Sequence, residues 1–478
     1  MDISRFASKA GIAIALISSS LTAAPCLAQD LAADMVLDEA ESLAVDAGIY
    51  AAQYGVTKEE AMRRLRAMLE GTEDAITQAN LEGADFAGVY FDNSAAEFAI
   101  VIRSRKAGDA KSTLTRPGRS GMMRGAQQRA ARASERAQLR ARFSITADDV
   151  AAAVEILSKP QRYTLEKRGG AKQSRGELQS TLTNASGQLV KIPGYQTSFV
   201  DDRTGEIVIM VDATEKMAAS QAAASVLSVP HRIELVPGGF VDVTLRGGLF
   251  TTIPTQRWCM TAFGAKRTSD GKTGIVTAGH CASASTISMT SSDGTSVNLT
   301  QGTTLNNTTT GDLMFLSGTP AGSGQFRFDG TGSFRTVTGF RARSSTSAGN
   351  GTMTTASTIA GSFVCHVGQE TLGSSNMIQS CGEVISTAGN RGTGGTTGGN
   401  YVIVRNTQSG AGTVRTSGTG TLKCYQGDSG GPWFAGTIAF GVMSACQWEG
   451  GTLNGTALYS MYTSVSEFNL IGVSLLVP

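Results

Sequence analysis

Hydrophobic positions recur with helical spacing in two stretches of the first half of the chain. The first stretch follows a capping box at 57–60, where a threonine precedes a glutamate by three residues. The second follows similar capping residues at 146–149. Apolar side chains spaced three and four residues apart are typical of a helix with one buried face. The sequence therefore predicts helices over about 58–70 and 147–157.

Each predicted helix is followed by two apolar stretches that flank a polar turn. The pairs are 86–91 with 98–102, and 195–200 with 207–211. Short β-prone runs around Asp, Asn and Gly residues indicate antiparallel hairpins. We therefore expect an α+β region over 29–240 with two lobes, each made of one helix and one hairpin.

The second half of the chain has a different texture, because Gly, Ser and Thr dominate from about Val241 onward. Its apolar runs are short and cover 274–277, 313–316, 401–404 and 438–443. Many short strands with glycine-rich turns and no long helical period indicate an all-β domain, either a sandwich or a barrel. Residues 465–477 fit a strand or a terminal helix, and the glycine-rich stretch 392–399 fits a surface loop.

Eight arginines lie between the two predicted lobes, from Arg116 to Arg142. Such a segment could bind nucleic acid, but the aromatic residues that stack on bases are not interleaved with these arginines. The whole chain of 478 residues is nearly balanced, with 41 Lys and Arg against 39 Asp and Glu. We therefore favour a solvated linker and expect no nucleic-acid partner.

The amino terminus has the pattern of a secretory signal, since Arg5 and Lys9 precede an apolar run and small residues lead to Ala28. Nowhere does the sequence hold roughly 18 consecutive apolar residues, the length of a membrane-spanning helix. We expect residues 1–28 to be removed and the product to be secreted, to the extracellular space or periplasm, with no membrane partner. Six of the seven cysteines lie between Cys259 and Cys446, where export permits three disulfides.

Two short motifs in the second half carry candidate chemistry. His280 stands in Thr-Ala-Gly-His-Cys, directly after an apolar run. Ser429 stands in Gly-Asp-Ser-Gly-Gly-Pro, where glycines allow a tight turn that leaves the hydroxyl exposed. A hydroxyl becomes a useful nucleophile when a base takes its proton. The two motifs together therefore indicate covalent catalysis more strongly than either does alone.

A carboxylate is expected to orient the histidine ring of such a pair. Six acidic residues lie between His280 and Ser429 in the sequence, namely Asp293, Asp312, Asp329, Glu370, Glu383 and Asp428. Asp312 leads directly into an apolar run, and a carboxylate at such an edge needs a partner. Asp312 is therefore the predicted partner of His280, with a turn aspartate after Gly311 as the alternative.

With these motifs, the region from about Val241 to Pro478 resembles the chymotrypsin-type serine proteases, in particular the secreted bacterial branch of alpha-lytic protease and the streptogrisins. The resemblance rests on 277–281, on Gly-Asp-Leu at 311–313 and on Gly-Asp-Ser-Gly-Gly-Pro-Trp at 427–433. It implies a protease domain over 241–478 with two six-stranded antiparallel barrels. It also implies an endopeptidase that acts on protein or peptide substrates and needs no metal or cofactor.

The resemblance assigns a role to each candidate residue. Ser429 is the nucleophile, His280 is the general base and then the acid, and Asp312 orients the imidazole. The N–H groups of Gly427 and Ser429 form the oxyanion hole. Ser444 lies on the strand that binds the substrate backbone.

The resemblance also implies a substrate preference. Relatives that cleave after basic residues have an aspartate six positions before the serine, where this chain has Lys423. Alpha-lytic protease has a methionine at the position of Met443 and prefers small residues. The resemblance therefore implies cleavage after small or medium apolar side chains.

Residues 29–240 resemble the folding pro-regions of the same relatives. This implies a zymogen whose own pro-region is a folding partner, removed by a cut near 241–245. The alternative, from a different functional class, is a catalytically silent protease-like binding module. Such modules have usually lost one of the three key side chains, and this chain retains all three.

The resemblance selects the disulfides Cys259–Cys281, Cys365–Cys381 and Cys424–Cys446. In the bacterial relatives an arginine directly after the third mature cysteine holds the aspartate before the nucleophile. His366 stands there in this chain, so we hypothesise that His366 pairs with Asp428 and that this pairing raises the pKa of the histidine. The alternative is an exposed histidine beside a disulfide.

Overall fold

A computed structural model describes most of the chain. The described residues are 36–94, 97–118, 137, 140–141, 143–236, 241–242, 251–252, 259–281, 286–290, 296–308, 310–318, 324–327, 333–343, 357–369, 377–391, 400–406, 422–448 and 455–477. The predicted signal 1–28, most of the arginine-rich linker and the loop 392–399 lie outside these ranges. Among the helices within them, none combines the length and apolarity needed to cross a bilayer.

The first upstream unit packs helices on a four-stranded sheet. Its helices are α1 (Glu39–Tyr54), α2 (Lys58–Glu70), α3 (Thr72–Leu81) and α4 (Ala147–Ser158). Its strands are β1 (Val36–Leu37), β2 (Phe86–Asp92), β3 (Ala99–Ser104), β4 (Ala110–Arg116) and β5 (Gln161–Arg168). The sheet has the order β2-β3-β5-β4, with β1 outside it.

Local signals explain the predicted elements of this unit. The Thr57 side chain accepts a hydrogen bond from the Glu60 N–H at the start of α2, and Thr146 and Asp149 form a capping box at α4. Both predicted helices and the hairpin β2-β3 are confirmed. The expectation that α4 opens the second lobe is wrong. Its apolar face joins the hydrophobic cluster of α1 and α2, and β5, which follows it, pairs in parallel with β3.

The second upstream unit is smaller and has its own core. Its elements are α5 (Arg175–Leu189), β6 (Tyr195–Asp201), β7 (Glu206–Asp212), α6 (Lys216–Val226) and β8 (His231–Val236). β6 and β7 form the predicted hairpin, and β8 returns parallel to β7 after α6. Apolar residues of both helices and of β7 form a separate buried cluster.

Among the described residues from 241 onward, most strands are short, but four have ten or more residues. The described residues of this region lie mainly in strands, as the glycine-rich texture predicts. These are β9 (Val241–Asp242), β10 (Thr251–Thr252), β11 (Gly264–Arg267), β12 (Thr273–Thr277), β13 (Thr286–Thr290), β14 (Ser296–Thr308), β15 (Gly311–Ser317), β16 (Gln325–Arg327), β17 (Phe334–Thr336), β18 (Gly339–Phe340), β19 (Phe363–Gln369), β20 (Met377–Arg391), β21 (Tyr401–Arg405), β22 (Lys423–Cys424), β23 (Pro432–Ala435), β24 (Ile438–Trp448), β25 (Gly455–Ser464) and β26 (Val473–Leu475). A short 3-10 helix over Val465–Ile471 precedes β26, so the end of the chain combines both predicted forms.

Two sheets dominate this downstream region. Strands β19, β23, β24, β25, β21 and β20 pair in that order, and β19 also pairs with β20, which closes a six-stranded ring. The other sheet has seven strands in the order β10-β13-β14-β15-β12-β11-β26. The mostly β architecture is thus confirmed, with one closed barrel. A second closed barrel of six strands stays a prediction.

Within the described ranges, two pairs of strands join the upstream units to the downstream sheets. β6 pairs antiparallel with the end of β20, and β1 pairs in parallel with β17. The hydrophobic cluster of the first unit also continues into β12, β15 and β19. Upstream and downstream residues therefore share buried surface.

Candidate active site

His280 is held at the end of a strand. β12 ends at Thr277, and a single 3-10 turn over Gly279–Cys281 carries the histidine. Glycine is required at 279 because a Cβ there would overlap the carbonyl oxygen of Leu305. The turn is fixed to its surroundings by the disulfide Cys259–Cys281. The side chain is 4% exposed, so its ring has little freedom to turn.

Asp312 is the carboxylate that the structure brings to His280. It is the second residue of β15 and is fully buried. One oxygen, Oδ2, lies 2.5 Å from His280 Nδ1, and the other, Oδ1, accepts the His280 backbone N–H at 2.8 Å. Two contacts from one residue fix both the position and the tautomer of the ring, with Nδ1 carrying the proton that faces the carboxylate.

Ser429 meets the opposite side of the same ring. Its Oγ lies 2.8 Å from His280 Nε2. The turn that presents it needs glycine on both sides, since Gly427 has a φ of 105° and Gly430 a φ of 86°. A Cβ at 430 would also overlap the carbonyl oxygen of Met260. The structure therefore brings the three predicted residues together in one hydrogen-bonded chain, serine to histidine to aspartate.

The surroundings of Asp312 decide its charge. Burial alone would raise the pKa of this carboxyl, but the charge and hydrogen bonds of His280 and the hydroxyl of Ser444 outweigh that effect and lower it. Asp312 is consequently ionised at neutral pH.

The sequence predicted that Ser444 lies on the substrate-binding strand, but it did not predict that its hydroxyl contacts Asp312. The Ser444 hydroxyl donates to Asp312 Oδ2 at 2.7 Å, and the Asp312 N–H donates to Thr463 Oγ1 at 3.0 Å. A signal for these contacts was present, because a buried carboxylate needs more donors than one imidazole supplies.

The hypothesis that His366 pairs with Asp428 is wrong. Asp428 accepts hydrogen bonds from the backbone N–H groups of Gln369 at 3.0 Å and Tyr425 at 2.8 Å, and His366 Nε2 lies 2.7 Å from the Lys423 carbonyl oxygen. Both side chains are fully buried. Burial raises the pKa of Asp428 to about 7 and lowers that of His366 to about 4. The histidine is therefore neutral at neutral pH, and backbone N–H groups hold the aspartate instead of a cation.

Met443 lies in the apolar core of the closed barrel. Its sulfur accepts a hydrogen bond from Trp433 Nε1 at 3.2 Å, and the Trp433 ring stacks on Tyr462 with 5.4 Å between centroids. All three side chains are fully buried. Aromatic rings therefore lie around the thioether of the residue that precedes Ser444.

The three disulfides are those that the resemblance selected. Cys259 is bonded to Cys281, Cys365 to Cys381 and Cys424 to Cys446. Cys259, His280 and Cys281 form a compact group that could suggest a metal site. The disulfide occupies both sulfur atoms, however, and both ring nitrogens of His280 have hydrogen-bond partners.

The nucleophile is covered in this form of the chain. Ser429 is fully buried, as are Ser444 and Asp428. Strand β9 lies antiparallel along β24, with Asp242 opposite Ala445 and Val241 opposite Cys446. A segment of the chain thus occupies the backbone edge immediately after Ser444.

No family model matches this sequence, and no curated protein does. Among solved structures, Nocardiopsis protease is 21% identical with a TM-score of 0.34. The match covers 48% of this chain and 98% of the Nocardiopsis protease chain. Protease A of Thermobifida fusca is 20% identical with a TM-score of 0.33 and covers 49% of this chain and 99% of its own. A glutamic-acid-specific serine protease, described as using a histidine triad in substrate binding, is 23% identical with a TM-score of 0.33. That match covers 48% of this chain and 100% of the protease. Since these TM-scores are below 0.5, the case for a function rests on the side chains of this chain.

Proposed function

We propose that this protein is a secreted serine endopeptidase of the chymotrypsin type, made as an inactive precursor. The observation that carries the proposal is the chain of contacts from Ser429 Oγ through His280 to Asp312, at 2.8 Å and 2.5 Å. The members of this chain are far apart in the sequence, and each is held by its own structural element. A serine, a neutral imidazole and a buried carboxylate in this order can activate a hydroxyl for attack on an amide.

Each side chain has a definite task in the proposed mechanism. His280 Nε2 takes the proton from Ser429 Oγ as the oxygen attacks the substrate carbonyl carbon. Asp312 stabilises the imidazolium that forms, through Nδ1–H. The backbone N–H groups of Gly427 and Ser429 stabilise the negative oxygen of the tetrahedral intermediate. His280 then donates its proton to the leaving amine, and water hydrolyses the ester in a second round of the same steps.

We propose that the enzyme cleaves after small or medium apolar residues. Support comes from the apolar surroundings of Met443, the residue before Ser444, where Trp433 and Tyr462 pack. A charged substrate side chain placed against these groups would lose its hydration without gaining an opposite charge. Cys446, two residues after Ser444, is bonded to Cys424, so this part of β24 is cross-linked.

The precursor form is supported by two observations. The nucleophile is fully buried while β9 lies along β24. A buried carboxylate of the upstream region also binds groups of the downstream region. Asp46 of α1 accepts hydrogen bonds from Arg335 at 2.9 Å and from the Gly436 N–H at 2.7 Å. We propose that 29–240 is a pro-region that assists folding, and that three disulfides mark the product as exported.

The catalytic chain is tested by the kinetics of single and combined variants. Ser429→Ala, His280→Ala and the double variant should each lower kcat for an apolar peptide substrate by about 10⁴-fold or more, with little further loss in the double variant. Residues that act as one unit lose their effect together, whereas independent residues give losses that multiply. Multiplicative losses, or full activity in either single variant, would contradict the proposal. The silent binding module predicts no activity in any form, including the processed wild type.

A further inference from the structure

The loop before the nucleophile contains a peptide group that glycine alone does not hold in one orientation. Gly427 supplies one of the two N–H groups of the proposed oxyanion hole, and its φ is 105°. Glycine adopts positive and negative φ about equally well, because it has no Cβ. The peptide between Gln426 and Gly427 can therefore turn over at little intrinsic cost. A stable oxyanion hole needs a contact that fixes this peptide.

The side chain of Gln369 makes such a contact. Gln369 is the last residue of β19 and is 2% exposed. Its Nε2 donates a hydrogen bond to the carbonyl oxygen of Gln426 at 2.9 Å and lies 3.5 Å from Asp428 Oδ1. The carbonyl oxygen of the rotatable peptide is thus bound to a buried donor on a strand of the closed barrel.

The backbone around Gln369 fixes the position from which its side chain reaches the loop. The Gln369 N–H donates to Asp428 Oδ1 at 3.0 Å, and a Cβ at Gly368 would overlap Asp428 Oδ2. The Tyr425 N–H donates to Asp428 Oδ2 at 2.8 Å. One carboxyl group therefore joins the end of β19 to both ends of the loop 425–428.

The geometry of a trans peptide converts this contact into a direction for the oxyanion-hole donor. The peptide bond between Gln426 and Gly427 is trans, so its C=O and N–H point in opposite directions. Since the carbonyl oxygen faces Gln369, the Gly427 N–H points away from that side chain. We propose that Gln369 is a positioning residue of the oxyanion hole, and that its amide keeps the Gly427 N–H directed at the carbonyl oxygen of a bound substrate. This inference rests on the proposed function.

The role of the Gln369 side chain is separable from the support of Asp428. Loss of the amide leaves the backbone N–H of residue 369 and its hydrogen bond to Asp428 in place. The peptide can then turn over, and the Gln426 carbonyl oxygen would face the substrate oxygen and repel its negative charge. That charge develops only during the reaction, so the tetrahedral intermediate depends on the Gly427 N–H more than the bound substrate does. Loss of the amide should therefore lower kcat more than it raises KM.

Gln369→Met tests this role, because methionine has a similar length and no N–H group to donate. In the processed protein, this variant should lower kcat for an apolar peptide substrate by about 10²-fold and change KM by less than about threefold. Its affinity for a peptidyl trifluoromethyl ketone, whose adduct with the serine carries an oxyanion, should fall by a similar factor to kcat.

The matched control removes a buried amide elsewhere in the downstream region. Asn406 follows β21, is fully buried and donates through Nδ2 to the Ala457 carbonyl oxygen at 3.4 Å. Asn406→Leu should leave kcat and the affinity for the trifluoromethyl ketone within about threefold of the parent, since it changes no group of the proposed oxyanion hole.

A second measurement uses the unmodified side chains. A crystal structure of the processed wild type with the trifluoromethyl ketone bound should show the adduct oxygen within hydrogen-bond distance of the Gly427 nitrogen. The contact from Gln369 Nε2 to the Gln426 carbonyl oxygen should be retained in that adduct. A Gln426 carbonyl that has turned away from Gln369 would overturn the inference, even if Gln369→Met failed to fold.

The outcomes separate this inference from the proposed function. A Gln369→Met enzyme with the kcat of the parent overturns the inference and leaves the peptidase activity standing. A change confined to KM, or an equal loss of kcat in Asn406→Leu, does the same. A processed wild type that neither hydrolyses peptides nor binds the trifluoromethyl ketone contradicts the proposed function itself.

Discussion

The hydroxyl of Ser444 donates a hydrogen bond to Asp312 Oδ2 at 2.7 Å, the same oxygen that faces His280 Nδ1. A residue on the strand proposed to bind substrate is therefore also part of the support for the catalytic histidine. Its hydroxyl and its backbone have separate tasks, one toward the carboxylate and one toward the peptide.

Ser444→Ala should lower kcat by about 10- to 100-fold, since a hydrogen bond to a charged group is worth roughly 1.5–3 kcal/mol. KM for a peptide substrate should change little because the backbone of residue 444 is retained. Ser386 is a buried serine on β20 that bonds a local backbone N–H, and Ser386→Ala is the matched control. A change confined to KM, or an equal loss in the control, would contradict this role.

Asp428→Asn should remove a pH dependence of stability. Burial raises the pKa of Asp428 to about 7 from an ordinary 3.8, so between these values the folded protein keeps a proton that the unfolded chain has lost. Stability then falls as pH rises, with a slope of up to about 1.4 kcal/mol per pH unit. Urea unfolding in a Ser429→Ala background, which prevents self-digestion, measures this slope.

The control for Asp428 is the exposed Asp270, whose pKa is lowered to about 2 by its hydrogen bonds with Arg267. Asp270→Asn should leave the slope between pH 5 and 7 as it is in the parent, because in that range the carboxyl is ionised both in the folded protein, where its pKa is about 2, and in the unfolded chain, where its pKa is 3.8. A slope unaffected by Asp428→Asn would show that the carboxyl is ionised in the folded protein at these pH values.

His366→Gln should change stability with the opposite sign. Burial lowers the pKa of His366 to about 4 from 6.5, so between these values the unfolded chain binds a proton that the folded protein does not. The contribution of this histidine to stability therefore rises with pH and is complete above about 6.5. Urea unfolding between pH 4 and 6.5, again in the Ser429→Ala background, should show that the free energy of unfolding rises less with pH in His366→Gln than in the parent. A steeper rise in the variant would contradict the conclusion that His366 is neutral in the folded protein.

Asp46→Ala should destabilise the precursor by about 3–5 kcal/mol, because it leaves a buried guanidinium without its carboxylate. Asp46 lies on α1 and Arg335 on β17, and both side chains are almost fully buried. The exposed pair Lys111–Glu97 supplies the control, since Glu97→Ala should cost less than about 1 kcal/mol. Equal effects of the two substitutions on urea unfolding would mean that Asp46 does not hold the upstream unit to the downstream sheets.

Local patterns predicted the elements whose signals are local. The capping box at Thr57 and the face with Leu65 and Met68 predicted α2, because its buried apolar side chains recur at helical spacing. α1 was missed although Asp38 and Glu41 form a capping box at its start. It is buried on several sides, with Glu41 and Asp46 both inside, so its polar positions do not mark a solvent-facing stripe.

The candidate site was predictable where chemistry dictates residue type. A base and a hydroxyl need a carboxylate, and the apolar run after Asp312 distinguished it from the turn aspartates, which agrees with its contact to His280. The prediction that His366 pairs with Asp428 was wrong. A sequence shows where a residue lies along a strand, but it does not show which backbone N–H groups are free to bind a nearby side chain. The N–H groups of Gln369 and Tyr425 already satisfy that carboxylate. Such contacts arise from the folded backbone and leave no pattern in the sequence.

The most direct test of the central claim is to treat the processed protein with a fluorophosphonate and map the adduct by peptide mass spectrometry. A hydroxyl activated by His280 should react, so we predict one adduct, on Ser429, and none on the His280→Ala variant. No adduct on Ser429 in the processed wild type, or equal labelling of the His280→Ala variant, would contradict the proposed catalytic role of Ser429 and His280.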